Sequence, residues 1–234
     1  MLKVENICTR RGTIDVLYDI SLEVKSREVV CLVGRNGAGK TTVVETIMGY
    51  LPVKAGKILW GNEEITRLPT HRRARSGIGY APDYSGIFPE LTVDENLMIS
   101  EMMVEKSAQA EDEKRSQIYS VFPEIQEFTQ RQGLNLSGGQ KKIVGIARAM
   151  ALSPRLLLLD EAFEGLAPVI VSRFIDAVIK IKKLGISLLI AESNLTAASL
   201  IADRIYAIDR GEIIFEGTPK EIARNKAVMR TICG

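Results

Sequence analysis

The sequence predicts an α/β fold in which a parallel-sheet core carries an N-terminal antiparallel β subdomain and an inserted α-helical subdomain. Two continuous apolar runs, Val29–Val33 and Leu156–Leu159, are typical of strands buried on both faces of a parallel sheet. Helical patterning dominates the residues from about 85 to 152, between those two runs. We therefore expect one domain over residues 1–234, with the segment 85–152 as a helical subdomain within it.

The N-terminal segment predicts two strands before the first buried run. They are expected at Lys3–Cys8 and at Val16–Val24, where apolar and polar residues alternate toward the end of the segment. A turn at Lys25–Glu28 would then lead into the buried strand. These strands are the basis for the predicted antiparallel subdomain.

A glycine-rich loop, GRNGAGKT at residues 34–41, follows the first buried strand and precedes a helix-like stretch, Lys40–Met48. It fits the pattern G-x-x-x-x-G-K-[ST], in which a curled backbone points successive N–H groups at phosphate oxygens. Lys40 would reach the β- and γ-phosphates, and the Thr41 hydroxyl would hold Mg²⁺. The dipole of the helix also favours anions. The core is thus predicted to be a P-loop NTPase core that binds nucleotide through Gly34, Asn36, Gly37, Ala38, Gly39, Lys40, Thr41 and Thr42.

The chain after this helix predicts further strands and then the helical insertion. PVKAG, at Pro52–Gly56, is interpreted as a turn before a strand, and Pro82 would end another strand at Ile78–Ala81. The polar stretch Glu105–Gln117 is expected to be an exposed helix or loop. A core position is favoured over a partner-facing surface for three helix-spaced methionines, Met98, Met102 and Met103.

The segment LSGGQ, at Leu136–Gln140, precedes the apolar-periodic stretch Lys141–Leu152. A serine and two glycines at a helix start can form a second anion site, and the predicted contacts are Ser137, Gly138, Gly139 and Gln140. One bound triphosphate does not need two such sites in one chain. We therefore expect this site to serve a nucleotide held by another subunit, and an ordinary serine-capped helix is the alternative interpretation.

Two adjacent carboxylates, Asp160 and Glu161, follow the second buried run. Open α/β sheets keep their ligands at the carboxyl ends of their strands. Asp160 would hold Mg²⁺, and Glu161 would polarise a water for in-line attack on the γ-phosphate that Lys40 holds. The alternative is that the two acids merely begin a helix.

The last third of the chain predicts a helix, a strand, a hairpin and a final helix. The helix has Pro168 near its start and Gly185 just past its end, and the strand follows at Ile186–Ala191. Arg204–Gly217 is interpreted as a β-hairpin that turns at Asp209, Arg210 and Gly211. A final helical segment is expected after Pro219.

The motifs GRNGAGKT, LSGGQ and LLLLDE, followed by EGLAP at Glu164–Pro168, stand in the order found in the ATP-binding subunits of ABC transporters, which the chain resembles from about Leu2 to Gly234. FPELTVDENL at Phe88–Leu97 and VFPEI at Val121–Ile125 are similar to the ATPases of branched-chain amino-acid importers and of related urea importers. The resemblance implies an ATPase that uses ATP and Mg²⁺ to power import of a solute, which is expected to be a branched-chain or other amino acid. It also implies a second ATPase subunit, identical or different, two transmembrane permease subunits and, indirectly, a solute-binding protein.

Four positions depart from the pattern of that family. Asp83 stands where a glutamine usually contacts Mg²⁺ or water near the membrane subunits, and an acid can still bind Mg²⁺. Ser193 stands where a histidine usually contacts the γ-phosphate, and Arg11 stands where an aromatic residue usually stacks on adenine. A guanidinium can also stack on a base, so Arg11 is kept as a predicted nucleotide contact. Ala162 replaces a proline, and together these changes bear on the speed of hydrolysis more than on binding.

The composition argues against a nucleic-acid partner and against a membrane span. The net charge is only +2, and the basic cluster THRRARS at Thr70–Ser76 is interpreted as a solvated helix face. No run approaches the ~20 apolar residues of a span, and the start MLKVENICTR does not resemble a signal peptide. Cys8, Cys31 and Cys233 are scattered, which fits a reducing cytosol. We expect a protein held peripherally at the cytoplasmic face of the cell membrane by its partners.

Other function classes stay open beside amino-acid import. One is the ATPase of another ABC system, for urea import or for export, and another is a soluble, non-transport ABC-type ATPase that acts on DNA or ribosomes. Soluble members usually carry two ATPase halves or a long coiled-coil insertion. This chain has one phosphate loop and one LSGGQ, so transport is favoured.

Overall fold

The computed structural model describes residues 1–103 and 108–233, and its strands form two sheets. In chain order the strands are β1 (Leu2–Arg11), β2 (Ile14–Val24), β3 (Val29–Val33), β4 (Val53–Trp60), β5 (Glu63–Glu64), β6 (Ile78–Ala81), β7 (Leu156–Asp160), β8 (Ser187–Glu192), β9 (Arg204–Asp209) and β10 (Glu212–Gly217). The helices are α1 (Lys40–Met48), α2 (Thr70–Arg75), α3 (Val93–Glu101), α4 (Ala108–Val121), α5 (Gly138–Ala151), α6 (Pro168–Lys183), α7 (Leu195–Ile201), α8 (Pro219–Arg224) and α9 (Lys226–Cys233).

The larger sheet has the strand order β10–β9–β3–β8–β7–β6, and its neighbours are parallel except for β9 and β10. The smaller sheet is antiparallel, with the order β2–β1–β4–β5. The predicted fold class is therefore confirmed. Because parallel strands run in one direction, the carboxyl ends of β3, β7 and β8 meet at one edge, where Val33 pairs with Glu192 and Asp160 with Ala191.

Strand β3 is buried on both faces because it separates two halves of the hydrophobic core. Val29, Cys31 and Val33 pack into the cluster that contains the helical segment and α6. Val30 and Leu32 pack into the cluster that contains the smaller sheet and α1. A strand in this position needs apolar residues at every site, which explains the continuous run that predicted it.

Most of the predicted elements are present. The helix at Lys40–Met48, the strand at Ile78–Ala81 and the hairpin at Arg204–Gly217 are confirmed, and the hairpin turns through Arg210 and Gly211. Helix α6 begins at Pro168, and α8 begins at Pro219. Strands β1 and β2 are longer than predicted, since both continue toward the turn that joins them.

The interpretation of Pro52–Gly56 as a turn is wrong, because β4 begins immediately after the proline. Ala55 pairs with Cys8 of β1, and the register between the two strands shifts beside that pair. Gly56 lies at the shift with φ +83°, and a Cβ there would come within 2.3 Å of the carbonyl oxygen of Asn6. The glycine is therefore required by a bulge inside the sheet, not by a turn.

The core position favoured for the three methionines is wrong. Met98, Met102 and Met103 are 44%, 66% and 47% exposed. The buried positions of α3 include Val93 and Leu97, so Met98 and Met102 fall on the outward side. Helical spacing identified a common face but not whether that face packs inward.

The helical segment between β6 and β7 contains α3, α4 and α5. The predicted exposed helix or loop at Glu105–Gln117 lies partly outside the described residues, and its remainder belongs to α4. Helix α5 approaches the backbone after β6 closely, since a Cβ on Gly145 would lie 2.3 Å from the carbonyl oxygen of Ser85. The division of the chain into a domain with a subdomain at 85–152 stays a prediction.

The basic cluster Thr70–Ser76 contains α2, but the prediction of a solvated face is wrong for Arg73, which is 2% exposed. Its guanidinium donates to four carbonyl oxygens, of Thr46, Ile47, Thr66 and Leu68. Two of these belong to the last turn of α1, whose carbonyls have no partner within the helix. Arg73 therefore caps the helix that begins at the phosphate loop.

Within residues 1–103 and 108–233, no helix combines the length and apolar composition needed to cross a membrane. Cys8 and Cys31 are free thiols.

Candidate functional site

The phosphate loop runs from the end of β3 into the first turn of α1. The Gly34 N–H donates to the carbonyl oxygen of Glu192 over 3.3 Å, which ties the loop to the end of β8. Gly37 and Gly39 have φ values of +82° and +111°, a region that strains residues with a Cβ. A Cβ on Gly34 would lie 2.4 Å from the carbonyl oxygen of Ile208. The backbone therefore curls as the glycine pattern predicted.

Lys40 is the first residue of α1, and its side chain is only 2% exposed. Its ammonium donates to the carbonyl oxygens of Gly34 and Arg35, over 3.0 Å and 3.1 Å. It also lies 3.3 Å from Oε1 of Glu161. A buried ammonium needs oxygen partners, and phosphate oxygens are partners of the same kind. The charge is thus held inside the loop that is predicted to bind phosphate.

Thr41 and Asp160 meet where the metal site is predicted. The Thr41 hydroxyl donates to Oδ1 of Asp160 over 3.1 Å, and Oδ2 of Asp160 is buried with no hydrogen-bond partner among the described residues. Burial raises the pKa of Asp160 to about 6 against the effect of the Thr41 hydrogen bond, and the charge of Asp83 raises it further. A divalent cation would partner the free oxygen and favour the charged carboxylate, so these residues fit Mg²⁺.

Glu161 stands one residue beyond β7, with φ +46°. Burial raises the pKa of Glu161 to about 7, hydrogen bonding with Glu164 raises it as well, and the Lys40 charge opposes both. A carboxyl group that titrates near neutrality is matched to a general base. The two adjacent acids do not begin a helix, because α6 starts only at Pro168.

Arg11 lines the same cleft of about 380 Å³ as Lys40, Thr41 and Glu161. Its guanidinium forms an ion pair with Glu45 of α1. The structure thus brings the predicted adenine contact and the predicted phosphate contacts to one opening.

Tyr18, which the sequence prediction missed, lines this cleft too and is 44% exposed. Its hydroxyl donates to the carbonyl oxygen of Asp15 over 2.7 Å, and its N–H donates to the carbonyl oxygen of Gly211 over 2.9 Å. These bonds hold an aromatic ring at the edge of the opening. Side chains alternate between the two faces of a strand, so the apolar Leu17 was the signal that the neighbouring Tyr18 would face outward from β2.

The LSGGQ segment caps α5 and lies apart from the phosphate loop. The Gln140 N–H donates to Oγ of Ser137 over 3.3 Å, and the Ser137 N–H donates to Oε1 of Gln140 over 2.9 Å. The serine-capped helix is therefore real, but it leaves open space beside Gly138. Residues Ser137–Gln140 line a cleft of about 770 Å³ that contains neither Lys40 nor Thr41.

Asp83 and Ser193 line other clefts than the one around Lys40. Oδ1 of Asp83 accepts the N–H of Tyr84 over 2.6 Å, and Asp83 shares the larger cleft with the LSGGQ segment. Ser193 is exposed after β8 and lines a cleft with Glu164. Their contacts with Mg²⁺ and with the γ-phosphate stay predictions.

Two further residues that the sequence analysis missed hold the backbone after Glu161. Oε1 of Glu192 accepts the N–H of Phe163 over 2.8 Å, and burial raises the pKa of Glu192 to about 7. Nζ of Lys142 donates to the carbonyl oxygens of Glu161 and Glu164, over 2.6 Å and 2.8 Å. Glu192 lies 29 residues from Phe163, and Lys142 lies 19 and 22 residues from Glu161 and Glu164. No local sequence pattern therefore marks either residue.

A family model described as ABC transporter matches residues 17–164. The chain is 37% identical over 235 residues to the lipopolysaccharide export system ATP-binding protein LptB of Haemophilus influenzae, covering 100% of this chain and 97% of that protein. It is 33% identical over 235 residues to the high-affinity branched-chain amino acid transport ATP-binding protein BraG of Pseudomonas aeruginosa, covering 100% of both. The relatives thus include both an export system and an amino-acid transport system.

Two solved structures resemble the chain over nearly their whole length. One is an ATP-binding cassette of an ABC transporter in its ADP conformation, with a TM-score of 0.85, 28% identity and coverage of 100% of this chain and 98% of that chain. The other is a nucleotide-free cassette from an ABC transporter, with a TM-score of 0.85, 27% identity and coverage of 100% and 99%. The similarity therefore extends beyond the 17–164 segment to both ends of the chain.

Proposed function

The chain belongs to the ABC transporter family as an ATP-binding subunit, and on that premise we propose that it hydrolyses ATP to drive import of a solute, a branched-chain amino acid, across a cell membrane. The observation that carries the ATPase activity is the meeting of Lys40, Thr41, Asp160 and Glu161 at the carboxyl ends of β3 and β7. These four residues come from two segments, the start of α1 and the end of β7, that are far apart in the chain, and we infer that they act together.

In the proposed site, the N–H groups of the phosphate loop and the Lys40 ammonium bind the triphosphate. Thr41 and Asp160 hold Mg²⁺, with Asp83 as the further acidic candidate. The ion would neutralise charge on the phosphate oxygens. Glu161 orients the attacking water and accepts its proton, for which a pKa of about 7 is suited. Arg11 and Tyr18 offer a guanidinium and a ring for the adenine base.

The working site is proposed to span two subunits. Ser137–Gln140 and the phosphate loop line separate clefts of one chain, so the same nucleotide does not bridge them within that chain. A second ATPase subunit would place its LSGGQ over this chain's ATP, and this chain's LSGGQ would cover the partner's. The partner is either a second copy or a different ATPase. Asn36 and Glu164, which hydrogen-bond over 3.3 Å, would lie at the same interface.

An apolar patch is proposed to bind the transmembrane permease subunits and to hold the chain at the cytoplasmic face of the membrane. The patch consists of Tyr84, Phe88, Met98, Met102 and Leu134, which are 44% to 74% exposed. The segments that carry Phe88, Leu134 and the α3 methionines are joined directly, because the Leu134 N–H donates to the carbonyl oxygen of Pro89 and the Asn96 side chain of α3 hydrogen-bonds to the N–H and the carbonyl oxygen of Phe88. It adjoins Asp83, whose equivalent in the resembled family lies near the membrane subunits. Exposed apolar side chains grouped in this way mark interaction surfaces.

Branched-chain amino-acid import is supported by the segments Phe88–Leu97, Val121–Ile125 and Glu164–Pro168 and by the full-length similarity to BraG. A second candidate is lipopolysaccharide export, which the 37% identity to LptB favours. Both candidates share the ATP site and differ in the membrane subunits and the cargo. The solute contacts would lie in those other subunits.

The test is reconstitution of the chain, with the membrane subunits that co-purify with it, in proteoliposomes. Import predicts ATP-dependent uptake of labelled leucine, isoleucine or valine, and turnover that rises when the solute-loaded binding protein is added. Glu161→Gln is the matched control, because it should assemble normally and transport nothing. If ATP turnover responds to lipopolysaccharide and no amino acid is taken up, the proposal of import is wrong and lipopolysaccharide export is supported.

A further inference from the structure

The five-residue segment that follows β7, here called the Glu161 loop (161–165), leaves the strand in a strained conformation. Glu161 has φ +46°, although glutamate gains nothing from the left-handed region and is not among the residues enriched there. Such a conformation persists only where the surroundings determine it. The contacts around Glu161, the proposed general base, must therefore hold its backbone in this conformation.

One side of the loop is held by the end of β8. The Glu161 N–H donates to the carbonyl oxygen of Ala191 over 2.9 Å. Two residues later, the Phe163 N–H donates to Oε1 of Glu192 over 2.8 Å, and the buried Phe163 ring packs edge-on against Phe174. The N–H groups on this side are therefore fixed by the parallel sheet.

The carbonyl oxygens on the other side are bound by the side chain of Lys142 of α5, beside a turn bond from the Glu164 N–H to the carbonyl oxygen of Glu161 over 3.2 Å. The Lys142 ammonium donates to the carbonyl oxygen of Glu161 over 2.6 Å and to that of Glu164 over 2.8 Å. The two carbonyls therefore converge on one cation, which requires the peptide planes of the loop to turn toward α5. Charge-assisted hydrogen bonds of this kind are stronger than neutral ones.

We propose that Lys142 is a positioning residue for hydrolysis: by binding the carbonyl oxygens of Glu161 and Glu164, it holds Glu161 in its left-handed conformation with the carboxylate toward Lys40. This inference rests on the proposed role of Glu161 as general base. Lys142 acts through the backbone of Glu161: among the described residues, its ammonium hydrogen-bonds to the carbonyl oxygens of Glu161 and Glu164 and to no atom of the phosphate loop. Its loss should therefore change the placement of the base and not the binding of ATP.

The first experiment compares kcat and KM of the assembled transporter for the wild type and for Lys142→Met, which keeps an unbranched side chain one atom shorter and removes the cation. We expect kcat to fall about 10-fold or more, because a small displacement of a catalytic group is costly, while KM for ATP changes less than about twofold. Lys183→Met is the matched control. Lys183 is an exposed lysine at the end of α6, and its loss should leave kcat unchanged.

The second experiment separates positioning from stability. Lys142→Arg carries donors that can again bind both carbonyls, so it should recover most of the lost kcat. The unfolding midpoint and the ATP dissociation constant of Lys142→Met should stay near those of the wild type. If kcat, ATP affinity and the midpoint fall together and arginine restores none of them, the lysine is only structural and the proposal is overturned.

A double variant distinguishes this proposal from the proposed function. In a Glu161→Gln background, Lys142→Met should cause no further loss, since the group that it positions has already been removed. Wild-type turnover in Glu161→Gln would overturn the role of Glu161. If Glu161→Gln is inactive while Lys142→Met keeps kcat within about twofold of the wild type, the role of Glu161 stands and the role of Lys142 falls.

Discussion

The ammonium of Lys40 lies 3.3 Å from Oε1 of Glu161, with 2% and 14% of the two side chains exposed. Sequence patterns predict different tasks for these residues, because Lys40 belongs to the phosphate loop and Glu161, 121 positions later, follows a buried strand. Their contact brings the proposed phosphate-binding cation and the proposed base together in one cleft. The γ-phosphate and the attacking water of the proposed reaction would lie beside this pair.

Glu161→Gln should abolish hydrolysis and spare ATP binding. Glutamine keeps the size of the side chain and loses its basicity, so turnover should fall about 10²-fold or more. Lys40→Ala is the contrasting variant, because it removes a charge from the phosphates and should weaken ATP binding itself. Turnover assays and equilibrium binding of a labelled ATP analogue check both. A Glu161→Gln protein that turns over at the wild-type rate would exclude the role.

Asp160→Asn should raise the Mg²⁺ concentration that half-maximal ATPase activity requires. The variant keeps the hydrogen bond from Thr41 and removes the charge that would bind the ion, so a shift of about 10-fold or more is expected. The measurement is a Mg²⁺ titration at saturating ATP. An unchanged Mg²⁺ requirement would place the metal site elsewhere.

Tyr18→Ala and Arg11→Ala should each weaken ATP binding, and the double variant should weaken it most. A base that stacks on both side chains would lose contact from each, at about 1 to 3 kcal/mol for an aromatic stack. The assay compares ATP with inorganic triphosphate, which has no base. Equal losses for both ligands would show that the two residues act on the phosphates.

The isolated chain should be a slow ATPase, and a distinct second subunit should supply the faster site. Ser193 replaces the usual histidine, and a lost γ-phosphate contact in a water-excluded site costs about 10²–10³ in rate. Turnover is compared for the chain alone, for Ser193→His and for the assembled transporter, and Ser193→His helps only if the ring reaches the γ-phosphate. An isolated chain as fast as the complex would favour a homodimer.

Glu192 should make the metal-free chain less stable as the pH rises. Burial raises its pKa from 4.5 to about 7, with the Lys142 charge lowering it and the Glu161 charge raising it. The folded state therefore holds the proton more tightly than the unfolded state. The resulting stability is complete below pH 4.5 and is lost as the pH passes 7, by about 3 kcal/mol at most.

Urea unfolding of the wild type and of Glu192→Gln, in EDTA at pH 4.5 and pH 8, tests this pH dependence. Glutamine does not titrate, so its stability relative to the wild type should improve at pH 8. A difference between the two proteins that is the same at both pH values would contradict the prediction.

The sequence predicted those parts of the fold that local chemistry determines. The phosphate loop, α1 and the hairpin at Arg204–Gly217 follow from glycine positions and from short-range periodicity. Gly56 was misinterpreted because a glycine in a bulge and a glycine in a turn have the same sequence signature. Arg73 was misinterpreted because its acceptors lie partly on α1, far away in the chain.

The residues of the candidate site also fall into those that local sequence predicted and those that it did not. Asp160 and Glu161 could be found because a buried apolar strand precedes them. Lys142 and Glu192 could not, since each is an ordinary charged residue until the fold brings the Glu161 loop against it. The proposed phosphate and metal contacts belong to sequence motifs, whereas residues that hold a loop in place depend on tertiary contacts.

Gly145 has a mechanical consequence for the proposed transporter. A Cβ on Gly145 would lie 2.3 Å from the carbonyl oxygen of Ser85. The segment that contains Ser85 therefore packs directly against the backbone of α5. Tyr84 of the apolar patch and Ser137 at the start of α5 are thereby linked through main-chain contact, without a compressible side chain between them. A permease that pushes on the patch would therefore also push on α5, and the force would pass through the backbone contact at Gly145.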